Sequence, residues 1–139
     1  MRNAVYATIL DRTVPPTADE IAATLGVCSD DVRSAYERLN GRHALFLTPG
    51  SHDVRMAHPF SGVPTAFRAE VGDHTYWANC GWDVLGIPAA LHADAQIEAP
   101  IGDGESIRFA IEAGRLKDWD GLVHFPLPFR RWYDDLIET

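Results

Sequence analysis

The sequence predicts an α+β fold, with helices gathered at the N-terminal end and strands dominating the remainder. Two observations carry that reading. Residues 1–40 hold three short apolar-periodic segments, each bounded by helix start or stop residues. Residues 44–125 hold short runs rich in β-formers, separated by Gly- and Pro-containing turns. One apolar segment, YWANCGWDVLGIPAAL at residues 76–91, breaks that rhythm.

Taken in order, residues 2–10 form the first helix, with Val5, Ile9 and Leu10 on one face, and TVPP stops it. Thr17-Ala18-Asp19-Glu20 opens a second helix with a capping box, in which the Thr17 and Glu20 side chains satisfy each other's exposed amides. Ile21, Ala22 and Leu25 form its apolar stripe, and Gly26 ends it. Ser29 caps a third helix, with Asp30 and Asp31 in the first turn, where the helix dipole favours negative charge. Val32, Ala35, Tyr36 and Leu39 face inward, and Asn40-Gly41 stops the helix. ALFLT, PGSHD and VRMAHP then read as strand, turn, strand. Three helices and a β-hairpin make residues 1–60 a winged-helix-like unit.

Such a unit suggests DNA binding through its third helix, but the charge opposes it. Arg2, Arg12, Arg33, Arg38, Arg42 and Arg55 face a larger set of acids: Asp11, Asp19, Glu20, Asp30, Asp31, Glu37 and Asp53. Two of these acids stand at the end of the helix that normally reads bases. The whole chain carries a formal charge of −8, which repels phosphate backbones and anionic membranes. A structural or dimerisation role fits the unit better, and a homodimer is compatible with it. The 46% hydrophobic content is enough to bury a core. No apolar run approaches the roughly 18 residues of a membrane helix. MRNAVYATILDRT lacks the apolar stretch of a signal peptide, and the two cysteines, Cys28 and Cys80, do not make a disulfide framework. A cytoplasmic protein with reduced thiols is expected.

Residues 61–139 are expected to form a small mixed β-sheet packed with a buried helix. TAFRAEV reads as a strand and GDH as a turn. Residues 76–87 read as the helix, which Pro88 ends or kinks. QIEAPI and SIRFAIEAG flank a GDGE turn as a hairpin. GLVHFPLP reads as a further strand and RRWYDDLIE as a final amphipathic helix.

The chemistry concentrates on Cys80 and Asp83. Positions three apart share a helix face, so thiol and carboxyl would meet in one small volume. A helix N-terminus favours a thiolate, and burial favours the neutral form of a carboxyl. A soft ligand or nucleophile would then stand beside an acid, the parts needed to hold a soft metal centre and protonate a departing carbanion. The plainer alternative is packing, since free cysteine is among the most buried residue types. No phosphate-binding, nucleophile-elbow or dinucleotide motif is present, and no H-x-x-x-H or C-x-x-C zinc spacing.

The stretch TYWANCGWDVLGIPAAL resembles the alkylmercury lyase family. The shared pattern is an aromatic lead-in (Tyr76, Trp77), then Cys80, Asp83, the apolar Val84, Leu85 and Ile87, and Pro88. AHPFSGVPTAF upstream and Val123-His124-Phe125 downstream are also similar to family members. The resemblance implies protonolytic cleavage of a carbon–mercury bond. Cys80 would be the metal-binding thiolate and Asp83 the proton donor. No cofactor is implied; mercury or another soft metal ion would be substrate or product. The family's second active-site cysteine, just before the V-H-F strand, is missing, and Asp120 occupies its place. A carboxylate is a hard ligand and a poor substitute for a thiolate on mercury(II).

Asp120, His124, Trp82 and Tyr76 are accordingly read as substrate-pocket residues. His124 would project from a strand on the face opposite Val123 and Phe125. Trp82, Trp119, Trp132 and Tyr133 are candidates for an aromatic wall. His52, His58, His74 and His92 fall in turns and linkers and are given no role in the site. Three functions fit these residues. The first is an alkylmercury lyase-like enzyme. The second uses the same Cys80/Asp83 pair on a non-mercury organic substrate. The third is a non-catalytic binder of a soft metal or small molecule.

Overall fold

A computed structural model describes residues 1–102, 104–117, 119–125 and 127–132. The α+β class is borne out. Three helices come first: α1 (Arg2–Arg12), α2 (Ala18–Leu25) and α3 (Ser29–Asn40). The expected capping box is present, with Glu20 N–H donating to Thr17 Oγ1 at 3.2 Å and Thr17 N–H donating to Glu20 Oε2 at 2.8 Å. The Arg12 guanidinium, bonded to Glu20 at 2.8 Å, draws that carboxyl down to about 2, helped by the Thr17 amide. Gly26 closes α2 in the left-handed conformation that glycine adopts without strain. The N-cap of α3 is Cys28 rather than Ser29, and its side chain makes no capping bond.

Strands follow: β1 (Phe46–Leu47), β2 (Val54–Ala57), β3 (Phe60–Ser61), β4 (Phe67–Val71) and β5 (His74–Ala78). Helix α4 (Gly81–Leu91) precedes β6 (Ala95–Gly102), β7 (Glu105–Glu112) and β8 (Arg115–Lys117). They form one eight-stranded sheet in the order β1-β2-β3-β5-β4-β6-β7-β8. Every described pairing is antiparallel, where a mixed sheet was expected. Hairpins link most neighbours, and α4 leads from β5 to a strand that returns antiparallel beside β4. The sheet also runs through residues 60 and 61, so the hairpin strands and the later strands share one ladder.

One face of the sheet is the core. Ala69, Tyr76, Ile97 and Phe109 lie on adjacent strands in register and are all buried, as are Val84 and Ile87 of α4. The opposite face carries Arg68, Glu70, Glu98 and Arg108, joined by ion pairs of 2.8 to 3.1 Å. Helix α1 joins the core through Val5 and Ile9, and the Tyr76 hydroxyl donates to the Leu10 carbonyl at 3.1 Å.

Three element expectations change. The helix predicted over residues 76–87 begins at Gly81, because Tyr76–Ala78 complete β5; a short apolar run satisfies a buried strand as well as a buried helix. Pro88 lies inside α4, which continues to Leu91. GLVHFPLP is not a strand in its described residues, and β8 forms upstream of it at Arg115–Lys117. The predicted final helix lies mostly outside the described residues, which show a 3₁₀ turn at Phe129–Arg131.

Gly62 marks the tightest seam between β2 and the chain that follows. A Cβ there would collide with the Val54 carbonyl and come 2.9 Å from Pro15 Cγ. Gly62→Ala is therefore expected to cost about 2–3 kcal/mol, read as a lower urea midpoint at an unchanged m-value.

Candidate functional site around Cys80

Strand β5 delivers Cys80 to the start of α4. Cys80 is the N-cap, extended at φ −150° and ψ 176°, and its carbonyl accepts the first helical bond from Val84 N–H at 3.0 Å. A Cβ on Gly81 would stand 3.5 Å from Val123 and 3.9 Å from Phe67, ordinary contact distances that place both side chains over the helix start. Asp83 falls in the first turn of α4. It is the one charged residue among the buried described residues, at 8% exposure.

The expected meeting of thiol and carboxyl occurs. Cys80 and Asp83 line one small cavity of about 50 Å³ with Met56, His58, Asn79, Trp82, Phe125 and Trp132. Burial pushes the Cys80 thiol up from its ordinary value, more than the backbone amides of Asp83 and Trp82 pull it down; the Asp83 carboxyl adds to the rise. The opposition between helix position and burial is thus decided by burial. Iodoacetamide is expected to alkylate Cys80 with a midpoint above that of an ordinary cysteine thiol, and Asp83→Asn to lower that midpoint. Peptide mapping reads this against Cys28, which is exposed and outside the cavity.

Aromatic rings close the cavity. Trp82 lies 6.1 Å from Phe125, and Phe125 stacks on Trp132 at 4.8 Å. The Trp132 indole N–H donates to the Leu127 carbonyl at 3.0 Å. Trp82 is 60% exposed, so it forms the outer wall. Asn79 contributes an amide nitrogen that is buried and without a partner among the described residues.

The other expected pocket residues lie elsewhere. Tyr76 is on the core face, bonded to α1, and lines neither this cavity nor the larger one next to it. Asp120 is exposed and also lines neither. His124 is exposed and borders the larger cavity, about 450 Å³, on the other side of the first turn of α4. Val123 borders the same cavity, whereas Phe125 borders the Cys80 cavity; without a sheet partner the segment does not keep strand alternation. Trp119 stacks on Phe109 at 5.0 Å in the larger cavity, and Tyr133 lies outside the described residues.

The sequence reasoning missed His58 and Met56. His58 Nδ1 stands 3.3 Å from Asp83 Oδ1, across 25 residues of sequence. The sequence signal for them is AHPFSGVP, a stretch similar to the family that follows Met56 and carries His58. Among the described residues, no group of three or more His, Cys, Asp or Glu side chains is arranged to hold a metal ion. No helix among them is long and apolar enough to cross a membrane.

No curated protein matches the chain. The crystal structure of the mercury-bound form of MerB2 is similar, with a TM-score of 0.67 at 23% identity. That likeness covers 84% of this chain and 56% of the other, so the chain spans little more than half the length of that relative. The family model for alkylmercury lyase, MerB, matches residues 60–135, the segment that carries both Cys80 and Asp83. The chain belongs to the alkylmercury lyase family.

Proposed function

We propose that this protein cleaves carbon–mercury bonds by protonolysis, with Cys80 taking the mercury and Asp83 protonating the leaving carbon. The observation that carries the reading is the meeting of the Cys80 thiol and the buried Asp83 carboxyl in one cavity, in a member of this family. Cys80 displaces the original ligand X from R–Hg–X and gives R–Hg–S with loss of HX. The electron pair of the C–Hg bond then takes the proton of Asp83. R–H leaves, mercury(II) stays on sulfur, and Asp83 is left as a carboxylate. Two external thiols next remove the metal as a mercury dithiolate, returning the Cys80 thiol and releasing one proton.

The cavity suits this division of labour. It is far below the roughly 300 Å³ of ordinary ligand pockets, so it fits the metal rather than a large organic group. The organic group would lie outward along Trp82. The mercury ion is substrate, and no resident cofactor enters any step.

One observation favours a second reading. Asp120, at the position of the family's second thiol, lines neither cavity, and Cys28 is exposed at the start of α3. A site with a single thiol would act on a non-mercury organic substrate through the same pair, or bind a soft metal without turnover. Incubation with phenylmercuric acetate and excess thiol separates the readings. Benzene above the thiol-only control supports lysis. One-to-one mercury binding without benzene, seen by mass spectrometry, supports the binder, and neither result leaves the organic substrate.

A further inference from the structure

Each cleavage strips the proton from a buried carboxyl, and the cavity holds one group fit to restore it. The Asp83 side chain is 11% exposed and the His58 side chain 43%. The imidazole therefore touches both the buried acid and solvent. The 3.3 Å separation is at the long end for such a bond, as unliganded catalytic bonds often are. Among the described residues, no other basic side chain lines the cavity.

Three further contacts fix His58 without engaging its ring nitrogens. The Tyr6 hydroxyl of α1 donates to the His58 carbonyl at 2.9 Å. The Phe46 ring meets the imidazole edge-on at 5.3 Å. Pro59, the next residue, sits against Gly86 of α4, where a Cβ would lie 3.1 Å from Pro59 Cβ. Helix α1 and strand β1 thus hold the ring against the first turn of α4.

We propose that His58 is the positioning residue of this site: it fixes the Asp83 carboxyl and returns a proton to it from solvent after each cleavage. The proposal rests on the protonolysis reading. In the return step, Nδ1–H of His58 passes its proton to the Asp83 carboxylate, restoring the neutral acid. Nε2 takes one proton from water, so the imidazole ends neutral, with one proton in and one out. The hydroxide left in water combines with the proton released when external thiols remove the metal.

The test compares wild type with His58→Asn and His58→Ala, using phenylmercuric acetate and excess thiol. Asparagine keeps a donor near the Nδ1 position but cannot carry a proton through. His58→Asn is expected to keep its single-turnover rate within about 3-fold while steady-state turnover falls about 10- to 100-fold. Added imidazole should restore steady-state turnover in His58→Ala. Unchanged steady-state rates in both variants would overturn the proposal. So would equal losses in both regimes without imidazole rescue, the mark of a merely structural role. A second readout needs no turnover. The ¹⁵N signal of His58 Nδ1 is expected to move on Asp83→Asn, and an unmoved signal overturns the pairing. A moved signal in a wild type that releases no benzene supports the pairing and rejects mercury lysis.

Discussion

Cys80→Ser is expected to bring benzene release from phenylmercuric acetate down to the thiol-only background, a loss of at least about 10³-fold. A hydroxyl is a hard donor with little affinity for mercury(II), so the variant should also lose one-to-one mercury binding. Loss of structure is not expected to explain this. Cys80 is only partly buried, and its capping contribution is its carbonyl, which serine retains. An unchanged thermal midpoint with lost binding is the expected pair of results.

Asp83→Asn should separate binding from cleavage. The variant is expected to keep mercury binding through Cys80 but to lower steady-state cleavage by about 10²- to 10⁴-fold, the usual contribution of a positioned acid. Mercury uptake and arene release, followed in one sample, check this directly. Equal loss of both would mean that Asp83 shapes the cavity rather than supplying a proton. Asparagine is nearly isosteric and can keep a hydrogen bond to His58, so a packing effect should be small.

The parts of the fold set by local chemistry were legible in the sequence. The Thr17–Glu20 box and Gly26 define α2 through side chains and a backbone conformation that need no distant partner. The β6–β7 hairpin is similarly local. The start of α4 was not legible, since Tyr76 and Trp77 suit a buried strand or a buried helix equally. Only the register opposite β4, which pairs Ala69 with Tyr76, decides between them.

The site divides in the same way. Cys80 and Asp83 were legible because three-residue spacing places both at one turn of a helix. The correct start at Gly81 makes Cys80 the cap and still leaves the two groups together. Asp120 was expected from its place in the family resemblance, and His124 from a strand that the described residues of the segment do not form. His58 was hidden because its nearness to Asp83 depends on where β2 ends and on how Pro59 seats against Gly86. No periodicity in the sequence encodes that contact.

The N-terminal part gains a role from this geometry that needs no nucleic acid. Met56 of β2 and His58 just after it form one wall of the Cys80 cavity, and Tyr6 of α1 ties the His58 backbone down.

The most direct test of the central claim is the isotope content of the released arene. Phenylmercuric acetate turned over in deuterium oxide with excess thiol should give benzene carrying one deuterium, one equivalent per mercury(II) formed. Asp83→Asn should reduce that yield, and Cys80→Ser should remove it. Benzene no more abundant than in the thiol-only control, from wild-type protein that still binds mercury, would contradict protonolysis by the Cys80–Asp83 pair.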